Sequence, residues 1–469
     1  MVIPRVKKHK VRLFDFSGGM NSSVDEKLNP LGAKSCFNFL YSDGALKDGE
    51  GLKARLSGDK RIEMTEAAPL KLYYYSRYDN VNDVRDDRIL VYSDDGYIYE
   101  WKLNGGSAFV KKTSLSFERA PEGVCYKFNG EDVILFSLGD RIYLYDGVTV
   151  SDYAAPEITS MCVYNERLFV TTGGESTTLW FSENFDPTNW YVSLDEAGFI
   201  DFQDGKGKLL KIVELKGYAY VFRSYGITRI YAPADQGDFL ATNVEADSVR
   251  IVGGSVVDCG KKVVYMTDNG FYSFNGEYST RILKKLDGYI EGQNNSGVIA
   301  TFLNGRYYAK INVSIDKKVQ TAILSYDVES GDFYLIKGAD VIDLMTVYAD
   351  DKAETLALIN GSNVVCSLQK GASVLGKRLK KIWESPFTNF NVSGFKTLKS
   401  VSLYTKGDVY LIFKSDSGEK TVKIYGGKGL KKAPVALFGE DFSVTIVSEI
   451  EGADVSNVTL EFTRVSYGS

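Results

Sequence analysis

Few residues in this chain are placed to do chemistry, and they are scattered. His9 is the only histidine among 469 residues, so no second imidazole can share a metal or relay a proton with it. It lies in a basic run with Arg5, Lys7, Lys8, Lys10 and Arg12. The five cysteines (Cys36, Cys125, Cys162, Cys259 and Cys366) stand far apart, four of them in strand-like segments. They read as small buried apolar residues, and a zinc site, which needs clustered Cys or His, has no donor set here. An odd count agrees with synthesis in a reducing cytoplasm. GASVLGKR, Gly371 to Arg378, nearly spells a phosphate-binding loop, but Arg378 stands where the Ser or Thr that binds magnesium belongs. A flexible basic loop is the better account of Lys377, Arg378, Lys380 and Lys381, and no cofactor is expected.

The carboxylates invite the same weighing. Asp79, Asn82, Asp83, Asp86 and Asp87 crowd one loop. Their order does not fit a calcium-binding EF-hand loop, so a solvated hairpin tip is expected. Ser93-Asp94-Asp95-Gly96 approaches the repeated box of sialidase-type enzymes and misses its spacing by one. With 61 acidic residues, a pair drawn from different parts of a repeat fold could still meet, which keeps glycan binding or hydrolysis as a second function class. Tyr73 to Tyr75, or Tyr97, Tyr99 and Trp101, could form a platform for sugars or bases. On strands, alternate aromatics fill space between sheets, so core is the expectation.

The elements that would have to position these residues are hairpins. TDNGFYSFNG, Thr267 to Gly276, sets strand formers on both sides of Asp268-Asn269-Gly270, a tight-turn sequence. SDDGYIYEW (from Ser93), LGDRIYLYDG (from Leu138), KGYAYVFRSYGITRIY (from Lys216) and NGRYYAKI (from Asn304) share its grammar. One hairpin cannot bury its apolar faces, so these units must stack on one another. Unit starts fall near Leu70, Val124, Ile158, Leu209, Ser255, Val298 and Val341, close to the roughly 40–50 residues of a four-stranded blade. The expectation is an all-β chain: a β-propeller of about seven blades over residues 61–384, with an N-terminal extended arm and interaction segment (1–60) and a C-terminal β-sandwich (385–469). Within the first segment, Ala33 to Phe39 is expected to make one or two helical turns.

Composition excludes other classes. Net charge is −5, so no global field favours nucleic acid or acidic membrane. No run of about 18 apolar residues exists, and the basic start leads into LFDFSGGMN with no apolar export segment, so neither a membrane anchor nor secretion is expected.

Several stretches, in order, resemble propeller proteins in the tails of double-stranded DNA bacteriophages. They are FSGGMN (Phe16 to Asn21), Asn29-Pro30, Ala33, Asn38 and Gly44-Ala45-Leu46 near the start. LWFSENFDPTNW (Leu179 to Trp190), YVFRSYGITRIY (Tyr220 to Tyr231), Ser255 to Gly276 and IEGADVSNVTLEF (Ile450 to Phe462) follow. One departure is the lack of an Arg near Lys47. In length and layout the chain is most similar to the tail hub, or nozzle, of short-tailed phages, which stabilises packaged DNA. The resemblance implies a non-enzymatic virion protein made in the host cytoplasm. It would form a ring of identical subunits, often six, below the portal and adaptor proteins and beside other tail proteins such as fibres or a needle. Double-stranded DNA would pass through without sequence specificity. Arg5, Lys7, Lys8, Lys10, Arg12, Lys377, Arg378, Lys380 and Lys381 are then the expected contacts to neighbouring subunits or rings.

Overall fold

Thr267 and Gly270 close a hairpin around Asp268 and Asn269, and Gly270 sits at φ +147°, a conformation open to glycine but strained for other residues. Val263–Thr267 and Gly270–Phe274 run antiparallel from that turn, with Tyr265 and Tyr272 stacked across the pair. The computed structural model describes residues 5–13, 16, 19–21, 32–57, 60–80, 82–193, 196–246, 249–315, 317–349 and 352–466. Ser17, Gly18, Asn29 and Pro30 lie outside the described residues.

Among the described residues seven four-stranded units repeat this arrangement, as a seven-bladed β-propeller carrying a β-sandwich. The first strands of the blades are Pro69–Tyr75, Glu122–Phe128, Ile158–Tyr164, Leu209–Leu215, Ile251–Asp258, Ile299–Leu303 and Val341–Ala349. Each begins within a few residues of its expected position. From Glu122–Phe128 onward successive first strands lie side by side, Val341–Ala349 returns against Pro69–Tyr75, and the Tyr73 hydroxyl donates to the Pro121 carbonyl ahead of the second blade at 2.7 Å, which closes the circle. Second strands such as Arg88–Ser93, Arg167–Thr172 and Val263–Thr267 are buried on both faces because blades press on them from either side. The apolar core is accordingly divided into separate interblade clusters. Tyr73, Tyr75, Phe117 and Phe136 fill the gap between blades 1 and 2, and Phe222, Tyr265 and Phe274 that between blades 4 and 5. The aromatic runs at Tyr73 to Tyr75 and Tyr97 to Trp101 are thus mainly core, with Tyr75, Tyr99 and Trp101 essentially sealed.

The described strands among residues 1–60 are shared between the propeller and the sandwich, so the expected boundary at residue 60 does not separate them. Glu50–Ala54 supplies the fourth strand of blade 7, pairing antiparallel with Cys366–Lys370, so the circle is closed by strands from opposite regions of the sequence. Arg5–Arg12 is extended, as expected of the arm, but it lies along Val455–Ser466 as an edge strand of the sandwich. Phe39–Ser42 and Ala45–Asp48 form a hairpin in that same sheet, with Asp43 and Gly44 both at positive φ. The helical turns expected over Ala33 to Phe39 are absent: Ser35–Phe37 is a strand, because its alternating burial serves a sheet.

That short strand joins the two bodies. Phe37 pairs with Leu335 of blade 6 on one side and with Ile382 on the other. One nine-stranded sheet therefore runs from blade 6 (Ile299–Leu303, Arg306–Ile315, Lys318–Asp327, Phe333–Ile336) into four sandwich strands: Lys381–Glu384, Phe442–Ser448, Val409–Ser415 and Gly418–Ile424. The propeller boundary expected at residue 384 falls inside this sheet. A single apolar cluster links Phe271 and Tyr307 of blades 5 and 6 through Phe39 and Trp383 to Leu411 and Phe462 of the sandwich. A shared sheet and a shared core join the two bodies.

Candidate functional site

The basic residues expected to make contacts separate into two places. Lys8, Lys10 and Arg12 alternate with His9 and Val11 along the edge strand, and Lys10 pairs opposite Glu461. Lys10 and Arg12 line a groove of about 520 Å³ on the outer sheet of the sandwich, together with Ser402, Tyr404, Leu430, Lys432 and Thr459. Glu461 is the acid in this group. A hydrogen bond from Lys432 at 3.0 Å holds its carboxyl below the usual range, with the charges of Lys432 and Lys8 adding to the effect. Lys8, Lys10, Arg12 and Lys432 therefore leave the groove net positive, which favours an acidic partner surface. Lys7 is exposed on the same strand, and Arg5 pairs through its backbone at the strand's start.

Gly371 to Arg378 is not a phosphate-binding loop. Ser373–Val374 and Lys377–Arg378 form a small hairpin docked on Glu50–Ala54, with Leu375 and Gly376 at positive φ in its turn. Lys377, Arg378 and Lys380 are exposed on it. Lys381 is not, which corrects its assignment as a surface contact. It is fully buried, donates to Asp48 and to the Ile450 carbonyl at 2.6 Å, and lies over the Phe39 ring. A buried ammonium has to be paired, and here it serves the joint between the domains.

The acidic loop is also occupied internally. Asp86 pairs with Arg77 at 2.7 Å and with Arg88, and Asp87 pairs with Arg85 at 2.9 Å. Asp95, in the Ser93 to Gly96 turn, accepts from Ser93, Tyr97, Tyr99 and Lys111. Burial alone would raise its carboxyl, but these four donors hold it well below the usual range.

Sequence reasoning missed the centre of the propeller. First strands of several blades enclose a cavity of about 720 Å³ lined by Leu72, Val124, Ile299, Leu344, Lys71 and Asp343, among others. That is the volume of a small-molecule pocket. Asp343 accepts from Leu72 N at 2.6 Å and from Leu344 N at 3.0 Å, which ties blade 7 to blade 1 where the circle closes. Ser160 makes the corresponding link, accepting from Ile212 N between blades 3 and 4. Burial pushes Asp343 up to about 6, only partly countered by these two N–H donors and by Lys71.

A raised folded-state pKa means that Asp343 favours the fold most below the unfolded value, about 4, and that this contribution is lost as pH rises toward 6. Thermal midpoints of the wild type and of Asp343→Asn, compared at pH 4 and 6.5, should differ by a pH-dependent increment that is less favourable to the wild type at pH 6.5. A constant difference would reject the assignment. The only sequence signal for this residue was its place, third in a strand that begins a blade.

No known protein family matches the sequence, and no curated protein does. Among solved structures, the chain is similar to the BBS1N protein crystallised in complex with ARL6DN. That match has 14 % identity over 68 % of this chain and 96 % of that one, with a TM-score of 0.43. It is also similar to Hsv2p of Kluyveromyces lactis (11 % identity, 54 % and 81 % covered, TM-score 0.31). A third is the extracellular domain of the putative one-component system BT4673 of B. thetaiotaomicron (11 % identity, 81 % and 48 % covered, TM-score 0.42).

Proposed function

We propose that this chain is a structural virion protein of a tailed double-stranded DNA bacteriophage, a tail-hub or nozzle subunit. Copies of it close into a ring below the portal and adaptor proteins, continue the DNA channel and help retain the packaged genome. The observation that carries this reading is the surface of the sandwich. Phe395 and Phe438 stand 60 % and 52 % exposed and stack on each other, 5.5 Å apart and nearly parallel. Tyr404 and Leu430 are also exposed, and they border the cationic groove of Lys10, Arg12 and Lys432. Exposed apolar residues beside a charged groove are what a subunit presents to a neighbour. The sheet and core that sandwich and propeller share support the same reading, because a subunit of a load-bearing ring needs its domains firmly joined. In this reading the DNA channel lies between subunits and not within one.

The order of the matched stretches, from Asn38 and Gly44-Ala45-Leu46 through Leu179 to Trp190 to the final strand, supports the family. In this reading the protein has no catalytic role, and fibres or a needle attach to the same ring. The reading is tested by imaging the purified full chain, alone and with portal–adaptor particles, by negative-stain electron microscopy. Closed rings with an axial channel are expected, and charge reversal at Lys10, Arg12 and Lys432 should abolish them or their attachment. Isolated discs that bind no portal assembly would overturn it.

A further inference from the structure

We infer that a cleft between blades 2 and 3 is a binding site for a neutral oligosaccharide. The cleft, about 570 Å³, is walled by Trp180, Trp190 and Tyr191 and floored by Ala154, Ala155 and Pro156, with Glu157 and Glu175 at its rim. Each part is held in place. Glu175 accepts from the Trp180 indole at 2.9 Å, and Phe199 packs on that indole at 5.1 Å. Glu157 lies directly over Gly173, where any Cβ would come within 3.0 Å of its carboxyl carbon. Trp190 and Tyr191 follow a loop that braces itself. Asp186 accepts from Thr188 N at 2.8 Å, and Asn189 Nδ2 donates to Glu183 at 2.6 Å. The Trp190 Nε1 is shut off from solvent without an acceptor, so this residue offers the cleft its ring and not its polar edge.

Tyr191 is 72 % exposed. Aromatic faces offer area to the C–H face of a sugar ring, and carboxylate oxygens accept from its hydroxyls. A cationic ligand fits less well. Arg119 stands 3.7 Å from Glu157, and both side chains are largely solvated, where charge attraction is weak. The volume also exceeds that of one ammonium group and suits a chain of sugar rings.

The site is read on the full chain by tryptophan fluorescence and saturation-transfer NMR. The probes are cellotetraose, maltotetraose, mannotetraose and chitotetraose, with tetramethylammonium as the cationic comparator. At least one tetrasaccharide should bind with a Kd on the order of 1 mM or tighter, and Tyr191→Ala and Glu175→Gln should each weaken it by about tenfold. Tyr191 is exposed enough that its variant keeps the fold, as an unchanged melting midpoint would verify. Binding of none of the four sugars, binding of tetramethylammonium alone, or an unaltered Kd in Tyr191→Ala would overturn the inference. Ring assembly is read separately, so either proposal can fail without the other.

Discussion

Replacing Arg88 with alanine should lower the stability of the propeller by about 3–5 kcal/mol, the range for breaking a buried ion pair by removing one partner. Arg88 is 2 % exposed and joins two blades. Its Nη1 donates to Glu100 at 2.7 Å within blade 1 and to the Gly147 carbonyl at 2.7 Å in blade 2, while Nη2 pairs with Asp86. Glu100 is equally buried and also accepts from Tyr145 at 2.7 Å and pairs with Lys112 at 2.9 Å. Burial alone would raise the Glu100 carboxyl, but hydrogen bonds from Lys112, Tyr145 and Arg88 more than offset it and hold the group below its usual range. Its contribution is thus present above the ordinary glutamate pKa, about 4.3, and lost as pH falls through the lower folded value. Without Arg88 the balance shifts toward burial, so the variant should suffer less at pH 4.5 than at pH 7 relative to wild type. Urea unfolding at both values measures this. A loss under about 1 kcal/mol at pH 7, the range of a surface pair, would show that the network is not what joins the blades. The double variant Arg88→Leu, Glu100→Leu should recover part of the loss, since an apolar pair needs no compensation.

Asn38→Ala should cost a comparable amount, about 3–5 kcal/mol from three lost hydrogen bonds and one strained backbone. Asn38 is buried at the joint between propeller and sandwich, at φ +60°. Its Nδ2 donates to the Lys337 carbonyl at 3.0 Å and to the Lys380 carbonyl at 2.8 Å, and its Oδ1 accepts from Lys337 N at 2.8 Å. Two strands that share no other direct pairing are thereby held to one side chain. Asn38→Gly keeps the left-handed backbone and loses only the hydrogen bonds, so it should fall between wild type and Asn38→Ala. The glycine-to-alanine gap then reports backbone strain, expected near 1 kcal/mol. Thermal unfolding of the three proteins, with limited proteolysis around residue 385, checks both points. Equal midpoints for Asn38→Ala and wild type would mean that the shared sheet alone holds the domains together.

Much of the propeller could be read before any coordinates, because a hairpin is a local object. Asp268-Asn269-Gly270 turns, and the aromatic residues beside it pair, within one short stretch of chain; the same holds at Asn304-Gly305 and Ser93 to Tyr97. Seven such stretches at blade-like spacing can bury their two-faced strands only by stacking, so the all-β class and the blade starts followed from turn chemistry and alternation. The candidate surfaces were far less legible. Lys381 reads like its exposed neighbours Lys377 and Lys380, yet it is buried, since the difference lies in Asp48, a partner distant in sequence. The helical turns expected near Ala33 failed for the same reason: Ser35–Phe37 becomes a strand only because Leu335 and Ile382 flank it.

What the amino-acid order determined alone is therefore the all-β class, the repeating unit and the approximate start of each blade. What tertiary structure decided is every pairing between residues far apart in sequence. It set Glu50–Ala54 against Cys366–Lys370, laid the basic strand Arg5–Arg12 on the last strand to gather Lys10 and Arg12 with Lys432, and brought Glu157 to the tryptophans of the next blade. The physical reason is that a turn's geometry is stored in the two or three residues that form it. A contact across the fold depends on the summed burial of both partners, which no local pattern carries.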